Sequence, residues 1–363
     1  MRSTIALSNL GVDTNVFNRP PATQLPGDFM LTFTPNTNLW LRLGRTWVDG
    51  NIKVDWNYFK RYASERGANS QYRVGISRSL NRVRVKAGAL RSSARDRPNA
   101  EIDARSQMFA RAFNGEFEIR TFGKTSVGAK AIHQKMTYDK AAVFLGTVLA
   151  TELDHTTISR AMLVRYALTP LTTVSLEIGR ESDRFHFPIR DADSTRVLAI
   201  IALQPSAIVS GTGTIGYRNF VPRNTTIPQY NGPTAVVNLN YRLLGFSRLG
   251  VQINRDVQYS FDANQPYYLQ TAQSWTLQQQ VYGPFDVLER FAHARMAYRD
   301  RIGAVVAVSR RVDRSTAFGG GAGYRLGADK RVGFTLDKVR RTSDLPSRFY
   351  KGLRYGFSVT YER

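Results

Sequence analysis

Gly211-Thr-Gly213-Thr-Ile-Gly216 matches the dinucleotide fingerprint G-x-G-x-x-G letter for letter. In a nucleotide-binding fold those glycines let a tight turn bring a helix N-terminus against a pyrophosphate. Here Ile215-Gly-Tyr-Arg-Asn-Phe-Val-Pro222 carries on as strand. The glycines are therefore expected to ease curvature in a sheet rather than hold a phosphate. The same reading applies to Gly319-Gly-Gly-Ala-Gly323, where Phe318, Gly320, Ala322, Tyr324 and Leu326 keep strand parity and no Lys-Ser or Lys-Thr follows. Asp183 and His186 have the types of two members of a hydrolytic triad, but no nucleophile motif accompanies them. Asp191 and Asp193 at a loop end could serve calcium, but solvated loop carboxylates are the better reading of them. The four histidines, His133, His155, His186 and His293, are too scattered for a metal centre, and the absence of cysteine removes disulfides and thiolate sites. No catalytic residue, cofactor or metal ligand is assigned.

The charge balance carries more information. Lys and Arg number 51 against 28 Asp and Glu, a net charge of +23 over 363 residues, with arginine the commoner cation. Such an excess points to a polyanionic partner: nucleic acid, acidic polysaccharide or phosphorylated lipid headgroups. No run reaches the ~18 apolar residues of a membrane helix; the longest candidates are 141–150 and 197–203. Met1-Arg-Ser-Thr-Ile lacks the basic and apolar regions of an export signal. The chain is accordingly expected to be a processed or truncated form.

The elements that must position these residues are strands. In the final stretch Leu353, Tyr355, Phe357, Val359 and Tyr361 alternate with Arg354, Gly356, Ser358 and Thr360, before Glu362-Arg363. A period of two puts the sets on opposite faces. An aromatic terminal strand of this kind invites aggregation unless it pairs with another strand and turns its apolar face to lipid. The pattern recurs upstream. Val48, Gly50, Ile52, Val54, Trp56 and Tyr58 oppose Asp49, Asn51, Lys53, Asp55 and Asn57. Hairpins are expected over 28–44 and 46–64, 70–80 and 82–95, 104–121 and 125–140, 152–169 and 172–187, and 191–204 and 207–221. They continue over 234–245 and 248–261, 267–282 and 286–298, and 312–326 and 331–341, with a first strand in 4–17. No segment of helical period appears.

The connections alternate strictly, long then short. That rhythm and about eighteen strands predict an all-β fold, a single transmembrane antiparallel β-barrel over 1–363 with short periplasmic turns and longer extracellular loops. Gly44-Arg45 and Pro170-Leu171 are expected to be periplasmic, with both termini, while 19–27 and 222–231 face outward. The basic connection 299–311 and the apolar connection 141–151 are candidates to fold inward as constrictions or to dock a partner.

If the apolar parity meets lipid, the other parity lines a lumen. Arg73, Arg84, Lys86, Lys130, Arg165, Arg218, Arg242, Arg295, Arg325 and Arg354 fall there, with fewer acids: Glu116, Glu118, Glu177, Asp49, Asp55 and Asp337. A charge at mid-membrane on the lipid face costs about 2–4 kcal/mol, which favours the lumen for each. A cation-rich wall favours anions, although arginine–carboxylate networks also simply brace barrel walls. Arg111, Arg160 and Arg255 fall on the lipid parity, either snorkelling at the interface or displaced by a bulge. Trp40, Trp47, Trp56, Tyr58, Tyr241, Tyr259, Trp275, Tyr298 and Tyr355 are of the kind that form interfacial girdles.

Four tracts carry a family resemblance: Gly11-Val-Asp-Thr-Asn-Val-Phe17, Val209-Ser-Gly-Thr-Gly-Thr-Ile-Gly-Tyr-Arg218, Arg255-Asp-Val-Gln-Tyr-Ser260 and the Gly283-Pro-Phe-Asp286 turn. With them the chain resembles, over nearly its whole length, the outer-membrane β-barrel porins known as beta-barrel porin 2. The resemblance implies an outer-membrane barrel, and a link in some relatives to export of extracellular polysaccharide. The expected activity is a passive channel with a basic lumen, passing or binding anionic solutes or polysaccharide in the cell outer membrane. Its partners would be outer-membrane lipid, lipopolysaccharide and polysaccharide-export machinery, and not nucleic acid. A closed structural or adhesive barrel is the second reading, and a soluble basic β-protein that binds nucleic acid the third.

Overall fold

Alternation of apolar and polar residues gives each segment one face for lipid and one for water, and a strand satisfies its backbone only against neighbours. The computed structural model describes residues 1–243, 245–327 and 329–362. Leu244, Ala328 and Arg363, which the sequence reading places in the strand 234–245, in a turn and at the C terminus, lie outside the described residues. The strands are β1 (Arg2–Asp13), β2 (Asp28–Leu43), β3 (Thr46–Phe59), β4 (Gly67–Leu80), β5 (Val83–Asp96), β6 (Ser106–Arg120) and β7 (Thr125–Tyr138). A two-stranded flap follows, β8 (Val143–Phe144) and β9 (Thr147–Val148), then the helix α1 (Leu149–Leu153). The wall resumes with β10 (His155–Thr169), β11 (Thr172–Phe185), β12 (Ala192–Leu203), β13 (Val209–Pro222), β14 (Tyr230–Leu243) and β15 (Ser247–Tyr259). It ends with β16 (Tyr267–Tyr282), β17 (Phe285–Arg299), β18 (Val312–Leu326), β19 (Lys330–Ser343) and β20 (Tyr350–Glu362).

Apart from the flap, the strands form one 18-stranded antiparallel sheet, and β1 pairs with both β2 and β20. The sheet is therefore a closed barrel without an edge. Wall strands run from 12 to 16 residues, more than the ~9–11 a tilted strand needs to span a bilayer. On β10 and β11, Met162, Val164, Leu176 and Ile178 are exposed while Ala161 and Leu163 are buried. Large apolar side chains on the outside are the signature of a wall solvated by hydrocarbon.

The connections keep the predicted rhythm. Gly44-Arg45, Asn81-Arg82, Pro170-Leu171 and Gly283-Pro284 join strands at one end, while segments such as 14–27, 97–105, 139–154 and 300–311 join them at the other. The first strand stops at Asp13 rather than Phe17, because Asn15 folds back: its backbone N–H donates to Asp13 Oδ1 at 2.9 Å and its side chain to Arg19 O at 2.8 Å. The apolar 141–151 connection runs into the short helix α1, which continues to Leu153 where the sequence pattern predicts strand from 152. Leu149 and Leu153, four apart and so on one face, are buried with Ile102, Tyr138, Phe144 and Phe261. The apolar cores of the molecule therefore lie in its loop layer and at the loop-end rim of the wall, where Phe220, Tyr267 and Met296 stand.

Candidate channel lumen

The inner wall of β5 to β11 is a ladder of alternating charge. Lys86 Nζ lies 3.1 Å from Glu116, and Arg165 Nη1 lies 3.2 Å from the same carboxylate. Arg165 also pairs with Glu118, which accepts the Ser126 hydroxyl. Lys130 reaches Glu177 at 2.6 Å. All these side chains oppose the exposed row of Phe113, Phe117, Met162, Val164 and Ile178.

A second knot centres on Arg218, which is 3 % exposed. Its guanidinium meets Glu181 and Asp256, each at 2.9 Å, and Asp183 at 3.8 Å, and donates to the Ser194 hydroxyl. Arg196 bridges the same Glu181 and Asp256 at 2.9 and 3.1 Å. Asp183 accepts the hydroxyls of Thr157 and Tyr259 at 2.6 and 2.7 Å, so it is spent on this network. Asp193 is engaged by Arg184 and Arg223, and no metal-competent cluster occurs among the described residues. Around the seam, Arg354 pairs with Asp13 at 2.9 Å, Arg290 with Asp337 at 2.7 Å, and Arg325 and Arg331 both with Asp286.

Some inward cations have no such partner. Arg73, Arg84 and Arg242, and also Arg248, which the sequence reading missed, are exposed on the inner face. Among the described residues none has a carboxylate within 4.0 Å, in contrast to the paired wall around them. Near Arg248 the wall is neutral: Asn238, Asn240, Gln252, Ser274, Thr276 and Gln278 line a cavity of about 390 Å³. Parity alone could have found Arg248, since Gln252 and Asn254 share its face.

At the loop end a strap crosses the lumen. Residues 97–105 leave β5 and enter β6, yet they dock on the inner side of β16 to β19. Arg341 of β19, fully buried, donates to the carbonyls of Ala100 and Glu101 at 2.9 and 3.2 Å and pairs with Asp103 at 2.9 Å and Asp313 at 2.5 Å. Arg348 pairs with Asp103 at 3.1 Å, and Arg311 lies 3.6 Å from Glu101. Burial pushes the Glu101 and Asp103 carboxyls above the usual range, although Ser260 and Arg311 oppose this for Glu101, and Arg341 and Arg348 for Asp103. Burial, reinforced by Arg354 and Arg105, pushes Arg97 down to about 10. The sequence reading gives 96–103 only as a connection and looks for constrictions in 141–151 and 299–311. Both of those pack into the same cap: Phe144 and Leu149 against Ile102, and Arg301 and Ile302 through backbone bonds to Asn264 and Thr226.

Two further expectations are corrected. Arg295 does not face the lumen: it shares the outward parity of Phe285, Val287 and Phe291. The pattern misleads there because Met296 and Tyr298, both fully buried, point inward against Ala100 of the strap. Tyr298 and Tyr259 belong to no girdle: Tyr298 is buried against Ala100, and Tyr259 is half-buried against the apolar cluster of Phe220 and Tyr267 at the loop-end rim. Trp40 and Trp47 are opposed to Asp49 and Ser77 and so lie on the inner face near the Gly44-Arg45 turn. Trp56, Tyr58, Trp275 and Tyr355 do face outward. Arg111, Arg160 and Arg255 are outward as well, in registers unbroken around them, so no bulge displaces them.

The family described as "Putative beta-barrel porin 2" matches residues 8–363. Solved structures share the fold at low identity. A BenF-like porin from Pseudomonas fluorescens Pf-5 superposes with a TM-score of 0.51 at 10% identity, over 99% of this chain and 97% of that one. OpdK of Pseudomonas aeruginosa, solved with vanillate, gives 0.50 at 10% identity over 100% and 98%. No match was found among curated proteins. A closed barrel with an apolar exterior overturns the soluble, nucleic-acid-binding reading. The chain belongs to the beta-barrel porin 2 family and is a porin-like β-barrel of the outer membrane.

Proposed function

We propose that the barrel is a channel whose lumen selects small anionic, hydroxyl-rich solutes, acidic sugars and polysaccharide segments among them. The observation that carries this reading is the set Arg73, Arg84, Arg242 and Arg248, exposed on the inner wall without a carboxylate partner among the described residues. A cation whose charge is already matched by a carboxylate adds little field, whereas an unmatched one lowers the energy of a passing anion. The neutral amides and hydroxyls of Asn238, Asn240, Gln252 and Ser274 supply donors and acceptors suited to sugar hydroxyls. No bond needs to be made or broken for this task.

The test is ion selectivity of the refolded protein in a planar bilayer under a salt gradient. The parent should give steps with a reversal potential favouring anions. Arg73→Gln, Arg84→Gln and Arg242→Gln together should move that potential toward zero. An unchanged potential in the triple variant would count against the assignment.

A second reading rests on the strap: a barrel closed at its loop end by residues 97–105. Silence from properly folded protein, with conductance restored when the strap is cut, would favour it.

A further inference from the structure

Five basic side chains stand on the outer wall of one sector of the barrel. Arg91, Arg111 and Lys135 are directly opposed across β5, β6 and β7, and Arg160 and Arg180 are directly opposed across β10 and β11. All five are exposed, on the parity of Phe113, Phe117, Met162 and Ile178. Among the described residues none forms an ion pair; the carboxylate whose charge reaches Lys135 is Asp154, at the base of a loop. Asp193, an outward carboxylate in this sector, is already held by Arg184 at 2.6 Å and Arg223 at 3.0 Å. Like charges opposed across a strand pair repel one another, and each would cost about 2–4 kcal/mol if held in hydrocarbon. An anion held outside the wall would relieve the mutual repulsion of these opposed cations.

Height decides which anion. Arg160 and Arg180 each sit five residues from the loop ends of their strands, at His155 and Phe185. Arg111 lies as far from Ser106, and Lys135 is nearer still to Tyr138. Eight to ten residues separate them from the turn ends of the same strands at Thr169, Thr172, Arg120 and Thr125. At a tilt of 35–45° and ~3.3 Å per residue that is about 20–25 Å, so a ~25 Å apolar band measured up from the turns ends at these cations. That is headgroup level in the outer leaflet. Beside Arg160 and Arg180 the outer wall is hollowed where Ala87, Gly115, Ala129 and Ala131 stand, a groove of about 940 Å³ floored by small apolar residues. A groove of that kind accepts an acyl chain whose phosphate lies at its cationic end.

We propose that this sector binds the phosphorylated, acylated glycolipid of the outer leaflet, the lipid A part of lipopolysaccharide. Arg160 and Arg180 share one phosphate, Arg111 and Lys135 the other, and an acyl chain lies in the Ala87–Gly115–Ala131 hollow. Arginine suits the task because its planar fork meets phosphate oxygens two at a time.

The experiment uses the whole refolded barrel in neutral detergent. It is offered bisphosphorylated lipid A, the same lipid without phosphates, phosphatidylglycerol, or inorganic phosphate, and followed by native mass spectrometry and thermal unfolding. Bisphosphorylated lipid A should remain bound through washing and raise the unfolding temperature. In the variant carrying Arg111→Gln, Lys135→Gln, Arg160→Gln and Arg180→Gln, its affinity should fall about tenfold or more. Single-channel conductance should not change, because none of the four faces the lumen. If the fourfold variant fails to fold, Arg160→Lys with Arg180→Lys retains the charge and should bind the lipid more weakly than the parent. Equal binding by the variants, or by the dephosphorylated lipid, would overturn the proposal. Equal gains from phosphatidylglycerol or inorganic phosphate would reduce the sector to a general anion surface and overturn the glycolipid assignment.

Discussion

Arg341 on the wall and Asp103 in the strap are 238 residues apart in sequence and form an ion pair at 2.9 Å inside the lumen. The pair is shielded from water, with Arg341 fully buried, and Asp313 completes the charge balance. Removing one partner of a buried pair costs about 3–5 kcal/mol, because the survivor is left uncompensated. Arg341→Ala should therefore shift the strap toward its undocked state by about two to four orders of magnitude, as that energy implies. Single-channel conductance should rise, and trypsin should cut after Arg105, the strap arginine not followed by proline. A variant with parental conductance and parental resistance to trypsin would show that the strap is held by its apolar contacts instead.

Strap docking should also depend on pH. Glu101 and Asp103 are raised by burial when docked. A carboxyl raised above its released-state value gives stability that is fully present below the released-state pKa and is lost as pH rises through the raised one. Acidification from neutrality should thus tighten docking and lower conductance, and Glu101→Gln should flatten the response. A conductance that climbs on acidification would mean that attraction to Arg341 and Arg348 outweighs the burial of the two carboxyls.

The Arg218 knot should be the most sensitive point of the wall. Replacing Arg218 by Ala leaves Glu181 and Asp256 with Arg196 alone and takes the nearby cation from Asp183. A loss of about 3–5 kcal/mol is expected, read as a lower urea midpoint in lipid vesicles. Arg73→Ala, exposed and without an ion pair, should stay within about 0.5 kcal/mol of the parent. Equal midpoints for the two variants would count against the knot as a brace.

The wall was legible in the sequence because lipid on one side and water on the other impose a strict period of two. β16 and β18 were placed to the residue on that basis. What was not legible lies where that contrast fails. At Met296 and Tyr298 the lumen is filled by Ala100 and its neighbours, so apolar side chains turn inward and Arg295 turns outward. The strap itself is marked only by Ile102 between Glu101 and Asp103, and its partners Arg341 and Arg311 are distant in the chain. Nothing in local period reports such contacts. Likewise, parity assigns Lys86 and Arg84 alike to the lumen but cannot say that one is neutralised by Glu116 and the other is not.

Closure makes the last demand on the chain. Along the β1–β20 seam the register shifts between Leu7 and Leu10, where Asn9 takes a φ of 54°. Just beyond that bulge Gly11 meets Gly356, and a Cβ on Gly11 would lie 1.9 Å from Tyr355 O and 2.4 Å from Gly356 Cα. Both are backbone atoms of the partner strand, so relief requires the strands to part. Gly11→Ala is therefore expected to destabilise the barrel by about 1–3 kcal/mol, the usual range for overpacking. Gly50→Ala is the control, since its added Cβ would find nothing nearer than Arg73 O at 3.7 Å and an interior Gly→Ala change is otherwise neutral or favourable. On unheated gels the Gly11 variant should lose part of its compact, fast-migrating band while the Gly50 variant keeps it. Should both keep it with equal thermal midpoints, the close approach at Tyr355 does not govern closure, and the seam must tolerate a wider separation than its register implies.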